Sequence, residues 1–437
     1  SSDLMNDNLS IIILAAGKGS RMKSTTPKVL HKISGFEMLY YSIKEAKKLS
    51  DDIHVVLYHQ ASRVQKAMDK YFTDINYTIQ DHENYPGTGG AVMNINLKHE
   101  NTLVLNGDMP LIQSSELEKF NTNDNSAIVM SVLQLDDATG YGRVIVENNS
   151  VVKIVEQKDC NDEELKVTTA NAGIYSFNTK FLNDNLPKLS NDNAQEEYYI
   201  TDLVEFAIEA NETVTPLIVD EENFKGVNSK FDLATAEVIH QNRIKKEFMS
   251  NGVIMRMPDT IFIDSSVQIE GESIIENNVT LLGNTQIINS HVKTGSVVED
   301  STLEDSDIGP IARIRPKSIL KDTHIGNFVE VKKSNLNGVK AGHLSYLGDS
   351  DIDTGTNIGA GTITCNYDGK NKFKTIIGKN VFIGSNTKLI APITLEDNCM
   401  TAAGSTLSKN VKSGQLAITR TKVRIIKDYF YKFFGKK

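Results

Sequence analysis

The sequence predicts an α/β protein in which a mostly parallel sheet covered by helices is joined by one long helix to a parallel β-helix. Three observations support this prediction. Strand-like and helix-like segments alternate over the first half of the 437 residues, one long helical pattern follows, and apolar residues then recur at every sixth position. The three regions are predicted at residues 5–228, 229–251 and 252–437.

The first region consists of short β-branched runs that alternate with amphipathic segments. The runs IIIL, IHVVLY, NTLVLNGD and AIVMSVL are typical of strands, and YYSIKEAKKL, SRVQKAMDKYF and QEEYYITDLVEFAIEA have helical spacing. Alternation of this kind favours a mostly parallel sheet covered by helices. Such sheets bind ligands at the carboxyl ends of their strands, where the segments GKGSR and NGD lie.

A single helix is predicted between the two larger regions. Helical spacing of apolar residues runs from Asp232 to Asn251, and Gly252 follows as a stop signal. The apolar positions are Leu233, Ala236, Ile239, Ile244 and Phe248. We interpret this helix as the connector of two domains.

The third region has a period of six residues. One series is Ile377, Ile383, Leu389, Leu395, Thr401 and Leu407, and a second is Val381, Thr387, Ile393, Cys399, Ser405 and Val411. A broken form precedes them at Val267, Val279, Ile308, Ile314, Ile325, Val331, Ile352 and Ile358. This period is typical of a β-helix whose stacked coils share one core, whereas the alternative, an ordinary β-sandwich, keeps no strict period. The runs KAGHLSYLGD and NIGAGTITCNYDGKNKFKT interrupt the rhythm, so we predict that loops leave the coils there.

The composition excludes several classes of protein. The net charge of −9 argues against a general affinity for nucleic acid or anionic membranes, although local basic clusters remain possible. The three cysteines, Cys160, Cys365 and Cys399, are far apart and form no CxxC pair, which fits a reducing cytoplasm and neither a disulfide framework nor a zinc site. No apolar run is long enough to span a bilayer, and no secretory signal pattern precedes the first strand.

The stretch ILAAGKGSRMKSTTPKVL, residues 13–30, joins the end of an apolar strand to two glycines and several cations. Backbone N–H groups in a glycine-rich turn after a strand can point together at an anion. Gly17 and Gly19 allow close approach, and Lys18, Arg21 and Lys28 add positive charge, so the stretch predicts a polyphosphate site. Its spacing matches neither the dinucleotide fingerprint nor the Walker A loop.

The motif L-A-A-G-x-G-x-R-M, here Leu14 to Met22 and followed by Pro27-Lys28, resembles the signature of sugar-phosphate nucleotidyltransferases. With the hexapeptide region, the chain from about Leu9 to about Arg420 resembles the bifunctional bacterial N-acetylglucosamine-1-phosphate uridylyltransferase and glucosamine-1-phosphate N-acetyltransferase family. The resemblance implies a Rossmann-like nucleotidyltransferase domain, a left-handed parallel β-helix and a homotrimer. It implies acetyl transfer from acetyl-CoA to glucosamine 1-phosphate, then uridylyl transfer from UTP. The products are pyrophosphate and UDP-N-acetylglucosamine, a cell-wall precursor.

Uridylyl transfer needs positioning and charge neutralisation rather than a protein nucleophile, and Mg²⁺ is the natural partner of the two anions. The resemblance makes Asp108, which follows a predicted strand, and Asn228 the metal ligands. The substrate contacts that it implies are Leu14, Ala15, Ala16, Gly17, Arg21, Lys28, Gln80, Gly87, Thr88, Gly142, Glu156, Asn171, Thr201 and Asn228. The uracil contacts stay open because the stretch from Gln80 to Gly87 is longer than the family's usual spacing, and Asn106 is given no role.

In acetyl transfer the attacking amine must lose a proton, and a histidine is suited to accept it near neutral pH. His343, in the first predicted loop, matches the family's catalytic base, and Glu330 could orient its imidazole. The resemblance places Arg315, Lys332, Tyr346 and Asn357 at the sugar phosphate. At the acetyl group and the acetyl-CoA cleft it places Ala360, Asn366, Tyr367, Ser385, Ala403 and Arg420.

The last segment, RIIKDYFYKFFGKK, is aromatic and basic. It could lie on a membrane surface, and the interpretation that we favour is an arm that packs on its own or a neighbouring subunit. The predicted partners are small-molecule substrates, with no nucleic acid and no stable membrane insertion.

Two alternatives for the whole chain are a single-activity nucleotidyltransferase whose β-helix only regulates or oligomerises, and a regulatory exchange-factor subunit. The histidine segment argues against the first, and the intact glycine-rich loop with Lys28 and Asp108 argues against the second.

Overall fold

The computed structural model describes residues 8–121, 126–139, 141–155, 157, 160–193 and 195–435. The chain divides into two compact units, Ser1–His240 and Gln241–Lys437. Each unit has its own buried apolar core, so each can be described by itself.

The first unit is built on one twisted sheet. Its strands are β1 (Leu9–Leu14), β2 (Lys32–Ile33), β3 (Phe36–Glu37), β4 (Asp52–Leu57), β5 (Asn76–Ile79), β6 (Asn101–Asn106), β7 (Ile128–Gln134), β8 (Arg143–Glu147), β9 (Ser150–Val155), β10 (Thr169–Asn178) and β11 (Val214–Val219). The sheet order is β11-β7-β10-β6-β1-β4-β5, with β8 and β9 attached to β10 and with β2 and β3 forming a separate hairpin. β1, β4, β5 and β6 are parallel, and β10 runs antiparallel to both of its neighbours. The predicted mostly parallel sheet is therefore confirmed around β1.

Helices and 3₁₀ turns connect these strands. The helices are α1 (Met38–Ala46), α2 (Ala61–Met68), α3 (Gly87–Val92), α4 (Ser114–Leu117), α5 (Thr179–Asn185), α6 (Asp202–Glu209), α7 (Glu221–Phe224) and α8 (Lys230–Ser250). The 3₁₀ turns are Ser20–Met22, Lys28–Leu30, Glu118–Phe120, Glu164–Lys166 and Leu186–Lys188.

Strand β1 is buried on both faces. Ile11 and Ile13 belong to the core on one side of the sheet, and Ile12 belongs to the core on the other side. A strand covered on both faces carries a continuous apolar run instead of an alternating one. This explains the run of isoleucines that leads into the glycine-rich turn.

The predicted connecting helix is present as α8. Ser229 and Asp232 cap its start reciprocally: Asp232 N donates to Ser229 Oγ at 3.1 Å, and Ser229 N donates to Asp232 Oδ2 at 2.9 Å. Gly252, at a φ of 96°, follows its end. The division between the two units falls inside this helix, after His240.

The second unit is a parallel β-helix with three faces. One face holds β12 (Ile254–Met255), β15 (Ile274–Ile275), β18 (His291–Val292), β21 (Asp307–Ile308), β24 (His324–Asn327), β27 (Lys340–His343), β30 (Asn357–Ile358), β33 (Phe382–Ile383), β36 (Met400–Thr401) and β38 (Leu416–Ala417). The second face holds β13 (Phe262–Ile263), β16 (Thr280–Leu282), β19 (Val297–Glu299), β22 (Arg313–Arg315), β25 (Glu330–Lys332), β28 (Tyr346–Gly348), β31 (Ile363–Cys365), β34 (Lys388–Ile390) and β37 (Thr406–Leu407). The third face holds β14 (Gln268–Glu270), β17 (Gln286–Ile288), β20 (Thr302–Glu304), β23 (Ile319–Lys321), β26 (Asn335–Asn337), β29 (Ser350–Ile352), β32 (Thr375–Ile377) and β35 (Ile393–Leu395). A 3₁₀ turn, Pro258–Thr260, lies in the first coil.

The two six-residue series point inward, as predicted. All of their members are buried, and the polar ones among them are Thr387, Thr401 and Ser405. The members of the broken upstream series are buried as well. From β12 to β37 every third strand returns to the same face, so the inward side chains stack into one continuous core along the β-helix.

The prediction that the first interruption, KAGHLSYLGD, is a loop is wrong. These residues form β27 and β28 and stay in the coils. The rhythm breaks because successive rung partners Leu281, Val298, Ile314, Val331 and Leu347 are 17, 16, 17 and 16 residues apart, whereas Leu389 and Leu407 are 18 apart. A coil that loses one residue at a corner changes the period without leaving the β-helix. Within the second interruption, only residues 366–374 lie outside strands between β31 and β32.

The final segment carries one short helix, α9 (Tyr429–Phe434). Every residue from 418 to 435 is exposed, so packing of this arm on its own unit is not found in the described part of the chain. Among the described residues, no helix combines the length and the apolarity needed to cross a bilayer. All three cysteines are free, as the sequence predicts.

The inward and outward positions of one coil provide a test of the core. Leu320 is fully buried and Ile319, its neighbour in β23, is 54% exposed on the opposite side of the strand. Leu320→Ala is expected to destabilise the β-helix by about 2–5 kcal/mol, because it leaves a cavity in a stacked core. Ile319→Ala is expected to cost less than about 1 kcal/mol. Calorimetry of the two variants measures their unfolding temperatures, and equal decreases would contradict the assignment of Leu320 to the inside and Ile319 to the outside.

Candidate active sites

A cleft of about 470 Å³ opens at the carboxyl ends of the parallel strands of the first unit. The ends of β1, β4 and β6 meet there: Ala15 N donates to Val56 O and Gly107 N donates to Leu14 O, both at 2.9 Å. The residues that line the cleft are Leu14, Ala15, Ala16, Gly17, Lys18, Lys28, Val29, Tyr58, Gln80, His82, Gly87, Thr88, Ala91, Asn106, Asp108 and Glu197. The volume is within the range of ordinary small-molecule sites.

The two glycines of the turn after β1 have different roles. A Cβ at Gly17 would have no heavy atom within 4 Å, so this position leaves space for a ligand close to the backbone. Gly19 has a φ of 60°, and a Cβ there would lie 2.6 Å from the Cβ of Lys28. Gly19 therefore lets Lys28 pack against the turn, a role that the sequence pattern does not indicate.

Lys28, Asp108 and Asn228, which are far apart in the sequence, form one polar cluster. The Lys28 ammonium donates to Asp108 Oδ2 and, at 2.9 Å, to Asn228 Oδ1. Arg21 Nη2 also donates to Asn228 Oδ1 at 2.9 Å. The side chains of Lys28 and Asp108 are only 14% and 17% exposed, which strengthens their attraction relative to a pair in open water.

The Asp108–Asn228 pair fits the predicted magnesium site. One carboxylate oxygen and one amide oxygen converge on a point that the Lys28 ammonium occupies, so the pair already faces a positive charge. Mg²⁺ commonly takes one or two protein oxygen ligands and completes its shell with waters and substrate phosphates. Within the described ranges, no cluster of three or more His, Cys, Asp or Glu side chains forms a complete protein cage. Metal binding here would therefore require substrate oxygens and displacement of Lys28 toward the phosphates.

Gln80, Gly87 and Thr88 line the cleft together, and each also holds the loop that contains it. Gln80 Nε2 donates to the carbonyl oxygens of Tyr85 and Gly87, both at 3.0 Å. Gly87 has a φ of 90°, and a Cβ there would lie 2.5 Å from Tyr198 O. Thr88 Oγ1 accepts a hydrogen bond from Ile200 N at 3.2 Å. The stretch from Gln80 to Gly87 is therefore a loop closed by the amide of Gln80.

The longer loop adds an aromatic wall that the sequence analysis did not identify. His82 stacks on Tyr58 with ring centroids 4.4 Å apart and an interplanar angle of 28°. Both rings line the cleft on the side of Gln80 and Thr88. An aromatic surface of this kind suits the face of a nucleobase. No sequence motif pointed to it, because the two residues are 24 positions apart.

The remaining predicted contacts of the first unit lie outside the cleft lining. Asn171 N donates to Gly142 O at 3.3 Å, so these two residues are neighbours, and Asn171 Oδ1 accepts from Gly173 N. Asn106, which was given no role, lines the cleft and donates to Gly173 O at 3.0 Å, which links the cleft to this segment. Thr201 precedes α6 and does not line the cleft. Glu156 lies outside the described residues.

In the second unit the β-helix brings the predicted sugar-phosphate residues onto neighbouring rungs. Arg315 pairs with Lys332, and Lys332 pairs with Gly348 on the next coil. A Cβ at Gly348 would lie 2.4 Å from the Tyr346 hydroxyl, so Gly348 allows the Tyr346 side chain to lie beside it. Asn357 stands on a different face, in β30, and no contact recorded among the described residues joins it to this group.

Lys372 completes a cationic cluster and was not identified from the sequence. Its contact with Lys332 is the largest cause, ahead of burial and the Arg315 charge, that lowers the pKa of Lys332. Glu330 offsets the charge of Arg315, and the Asp349 charge opposes the lowering, so the repulsion that remains is mainly between Lys332 and Lys372, and an anion between them would relieve it. The loop 366–374 positions Lys372 through an antiparallel bridge to Tyr367 and a 2.9 Å hydrogen bond from Phe373 N to Asn366 O.

The expected contact between Glu330 and His343 is not found among the described contacts. Glu330 Oε1 instead accepts a hydrogen bond from Arg315 Nη1 at 2.8 Å, since the two side chains occupy adjacent coils. His343 pairs with Asn327 at the end of β27 and is exposed, so it lies in a strand and not in the predicted loop. Glu330 therefore orients Arg315.

A column of small residues runs along one corner of the β-helix from His343. Gly361 N donates to His343 O at 3.4 Å, Asn386 N donates to Ala360 O at 2.6 Å and Gly404 N donates to Ser385 O at 2.8 Å. These bonds place His343, Ala360, Ser385 and Ala403 on four successive coils, over about 14 Å at the usual strand spacing. Three of the predicted acetyl-CoA residues thus form a track with the predicted base at one end. Arg420 is exposed beyond the last strand, β38.

Asn366 is held by a buried carboxylate. Its Nδ2 donates to Asp349 Oδ2 at 2.5 Å, and Asp349 is 8% exposed. Lys333 Nζ is 3.5 Å from the other oxygen of Asp349. Tyr367, by contrast, is 59% exposed, and its hydroxyl donates to Gly369 O within the loop. Asp349 is a positioning residue that motif reading missed, since a lone aspartate after a strand has no distinctive spacing.

Comparisons with known proteins identify the family of the chain. The nucleotidyl transferase family model matches residues 10–223, and the bacterial transferase hexapeptide model matches residues 374–409. The bifunctional protein GlmU of Aliarcobacter butzleri is 69% identical over 98% of this chain and 99% of its own length. Proteins of the same name from a Nitratiruptor species and a Sulfurovum species are 58% and 57% identical, each over 98% of this chain and 100% of its own length. The chain belongs to the family of the bifunctional protein GlmU.

Proposed function

We propose that the cleft of the first unit and the His343 corner of the second unit carry, separately, the two activities of this bifunctional enzyme. The enzyme acetylates glucosamine 1-phosphate from acetyl-CoA and couples N-acetylglucosamine 1-phosphate to UTP, giving UDP-N-acetylglucosamine and pyrophosphate. The observation that carries the proposal is the convergence of Lys28, Asp108 and Asn228 at the strand ends of one unit, while the other unit aligns His343 with the small-residue column.

In the first cleft, the chain supplies position and charge. Backbone N–H groups around Gly17 donate to the triphosphate. The Lys28 ammonium leaves the Asp108 carboxylate and donates to a phosphate oxygen instead. Asp108 and Asn228 would hold Mg²⁺, which when bound supplies charge neutralisation between the two anions. Tyr58 and His82 provide a wall for the uracil, and Gly142 and Asn171 take the sugar side. The sugar phosphate then attacks the α-phosphorus and pyrophosphate leaves, with no protein nucleophile.

In the second site, Arg315, Lys332 and Lys372 receive the sugar phosphate, which relieves their mutual repulsion. His343 accepts the proton that the amine loses as it attacks the thioester carbonyl; the C–S bond then breaks, and CoA leaves as the thiol after it receives that proton. Asn366, held by Asp349, donates to the acetyl oxygen. The pantetheine arm of acetyl-CoA follows the track of Ala360, Ser385 and Ala403, where side chains are small enough to leave room. Tyr346, Asn357, Tyr367 and Arg420 keep the substrate roles expected from the resemblance.

The homotrimer and the cytoplasmic location stay predictions. Support for subunit packing comes from Phe382, Met400 and Leu416, which lie on adjacent rungs of one face and are 48%, 47% and 59% exposed. An outward apolar strip of this kind is typical of a surface that packs against another chain.

Asp108→Asn tests the first site, because it keeps the shape of the side chain and removes the charge. Uridylyl transfer at limiting Mg²⁺ is expected to fall by about 10²–10³-fold. Acetyl transfer is expected to stay within about twofold, since the two sites share no partners. Initial rates of both reactions on the purified variant provide the measurement. Wild-type turnover of UTP at limiting Mg²⁺ would show that Asp108 has been given the wrong role.

His343→Ala tests the second site in the opposite direction. Acetyl transfer is expected to fall by about 10²–10⁴-fold, the usual effect of removing a general base. The variant should still make UDP-N-acetylglucosamine when it receives N-acetylglucosamine 1-phosphate directly. Parallel loss of both activities at unchanged oligomer mass would mean that the chain has one shared site.

Lys372→Met tests the cationic cluster. The KM for glucosamine 1-phosphate is expected to rise by about tenfold at neutral pH, because the phosphate loses one cationic partner. The same change removes the main cause that lowers the pKa of Lys332, so Lys332 should keep its proton to higher pH. The alkaline limb of 1/KM should therefore move to higher pH in the variant.

The matched control is Lys374→Met, which removes an equal charge two residues away from a lysine paired with Asp351. Its KM and its alkaline limb are expected to match the wild type. If the alkaline limb does not move in Lys372→Met, the titration of Lys332 does not control phosphate binding, and Lys332 has been given the wrong role.

A further inference from the structure

A small core joins the three segments of the first unit that carry Lys28, Asp108 and Asn228. It is separate from the two cores that cover the faces of the sheet. Its buried members are Ile33, Met38, Tyr41, Leu111, Val227 and Ala236. Val227 N also donates to Asp108 O at 2.9 Å, which joins two of the segments through their backbones. The relative positions of Lys28, Asp108 and Asn228 therefore depend on how this small core is held together.

A polar link lies beside the small core, between the β2–β3 hairpin and α8. Ser34, which is 1% exposed, donates from both N and Oγ to Glu237 Oε1, at 2.9 and 2.7 Å. His240 Nδ1 is 3.0 Å from the same Oγ, and its ring packs on the Tyr41 ring with centroids 4.7 Å apart. Because the Ser34 hydroxyl gives its one proton to the Glu237 carboxylate, it accepts from His240, so Nδ1 carries the proton. We call Ser34, Glu237 and His240 the hairpin link.

The turn of the hairpin depends on this link. Ser34 and Gly35 have φ values of 44° and 95°, so both central residues of the turn lie in the left-handed region. Such turns favour asparagine, aspartate or glycine at the first position, and serine is disfavoured there. The two hydrogen bonds to Glu237 offset this preference. The serine is therefore explained by its bonds to Glu237 and not by the turn.

The hairpin link lies outside the cleft but close to its key residues along the chain. Its members are not among the described residues that line the cleft. Ser34 follows Lys28 by six residues, and Glu237 lies two turns into α8. The start of α8 is held to Asn228, whose N donates to Asp232 Oδ2 at 3.1 Å. A shift of the hairpin against α8 therefore moves Lys28 relative to Asn228.

The hairpin link becomes more important when substrate is bound. In the free protein the Lys28 ammonium itself bridges Asp108 and Asn228. In the mechanism proposed above, that ammonium moves to a phosphate oxygen, so this bridge is lost. The small core and the hairpin link then hold the Asp108 and Asn228 oxygens at one point.

We propose that Glu237 and His240 are positioning residues for uridylyl transfer. Through Ser34 they keep the oxygens of Asp108 and Asn228 together after Lys28 has moved to the phosphate. This inference rests on the function proposed for the first cleft. Backbone contacts to the triphosphate come from the turn after β1, which is outside the hairpin, so loss of the link should weaken UTP binding only when Mg²⁺ is present.

Titration calorimetry with UTP, in the absence of sugar phosphate, tests the proposal without turnover. Glu237→Ala should bind UTP within about twofold of the wild type in EDTA, and about tenfold more weakly than the wild type in Mg²⁺. Glu237→Gln keeps an oxygen that accepts from Ser34 and should stay within about threefold in both buffers. The matched control, Glu100→Ala, removes a carboxylate that accepts from Asn8 Nδ2 at 2.7 Å before β6, at the opposite end of the sheet, and should match the wild type.

Initial rates provide a second measurement. The kcat of uridylyl transfer by Glu237→Ala at saturating Mg²⁺ is expected to fall by about 10–100-fold, as when a reacting group is displaced by ~1 Å. Acetyl transfer by the same sample should stay within about twofold. His240→Phe should resemble Glu237→Ala, whereas His240→Asn, whose amide N–H replaces that of Nδ1, should retain most of the activity.

Wild-type UTP affinity of Glu237→Ala in Mg²⁺, or an equal weakening in EDTA and in Mg²⁺, would overturn the positioning role. Asp108→Asn separates this failure from that of the proposed function. If Asp108→Asn loses the Mg²⁺-dependent affinity and Glu237→Ala keeps it, only the positioning role is wrong. If both variants keep it, the function proposed for the cleft is wrong as well. If Glu237→Ala binds no UTP in either buffer, the two His240 variants decide by the same criteria.

Discussion

Parallel strand pairing is the constraint on which both candidate sites depend. In the first unit it ends β1, β4 and β6 at one edge, so that the turn after Leu14 and the segment after Asn106 lie side by side. In the second unit it repeats every 16–18 residues through the regular coils and places Arg315 beside Lys332. The three cysteines are free, so no disulfide organises either site, and the register of the backbone hydrogen bonds decides which side chains meet.

The electrostatics of these meeting points is that of candidate ligand-binding sites. The Lys28–Asp108 pair is largely shielded from water, yet its members also face a cleft of about 470 Å³ that a ligand can enter. Lys372 lowers the pKa of Lys332, and an anion between the two ammonium groups would relieve their repulsion. A phosphate that enters the second site therefore relieves repulsion between cations, which is the property expected of an anion-binding site.

Several residues position the side chains of the two sites without touching the substrates. Asp349 fixes Asn366 from below the surface, and the amide of Gln80 closes the loop that carries His82. Gly19 and Gly348 have no Cβ, which leaves room for their neighbours. A Cβ at Gly19 would collide with Lys28, and one at Gly348 would collide with Tyr346. These residues do not touch the substrates in the proposed mechanism, but they determine where Asn366, His82, Lys28 and Tyr346 can be.

The sequence by itself determined the main elements of the fold, and it predicted anion binding at the glycine-rich turn. The isoleucine run of β1, the helical spacing of α8 and the six-residue period are local patterns, and each element satisfies its own pattern. The tertiary structure alone decided the pairing of Glu330 with Arg315, the stacking of His82 on Tyr58, the place of Lys372 and the strand that holds His343. Those contacts join residues on different coils or loops, and a coil shortened by one residue moves every later side chain without leaving a signal in the local sequence. The physical reason is that side-chain partners follow from register, and register is a property of the stacked chain.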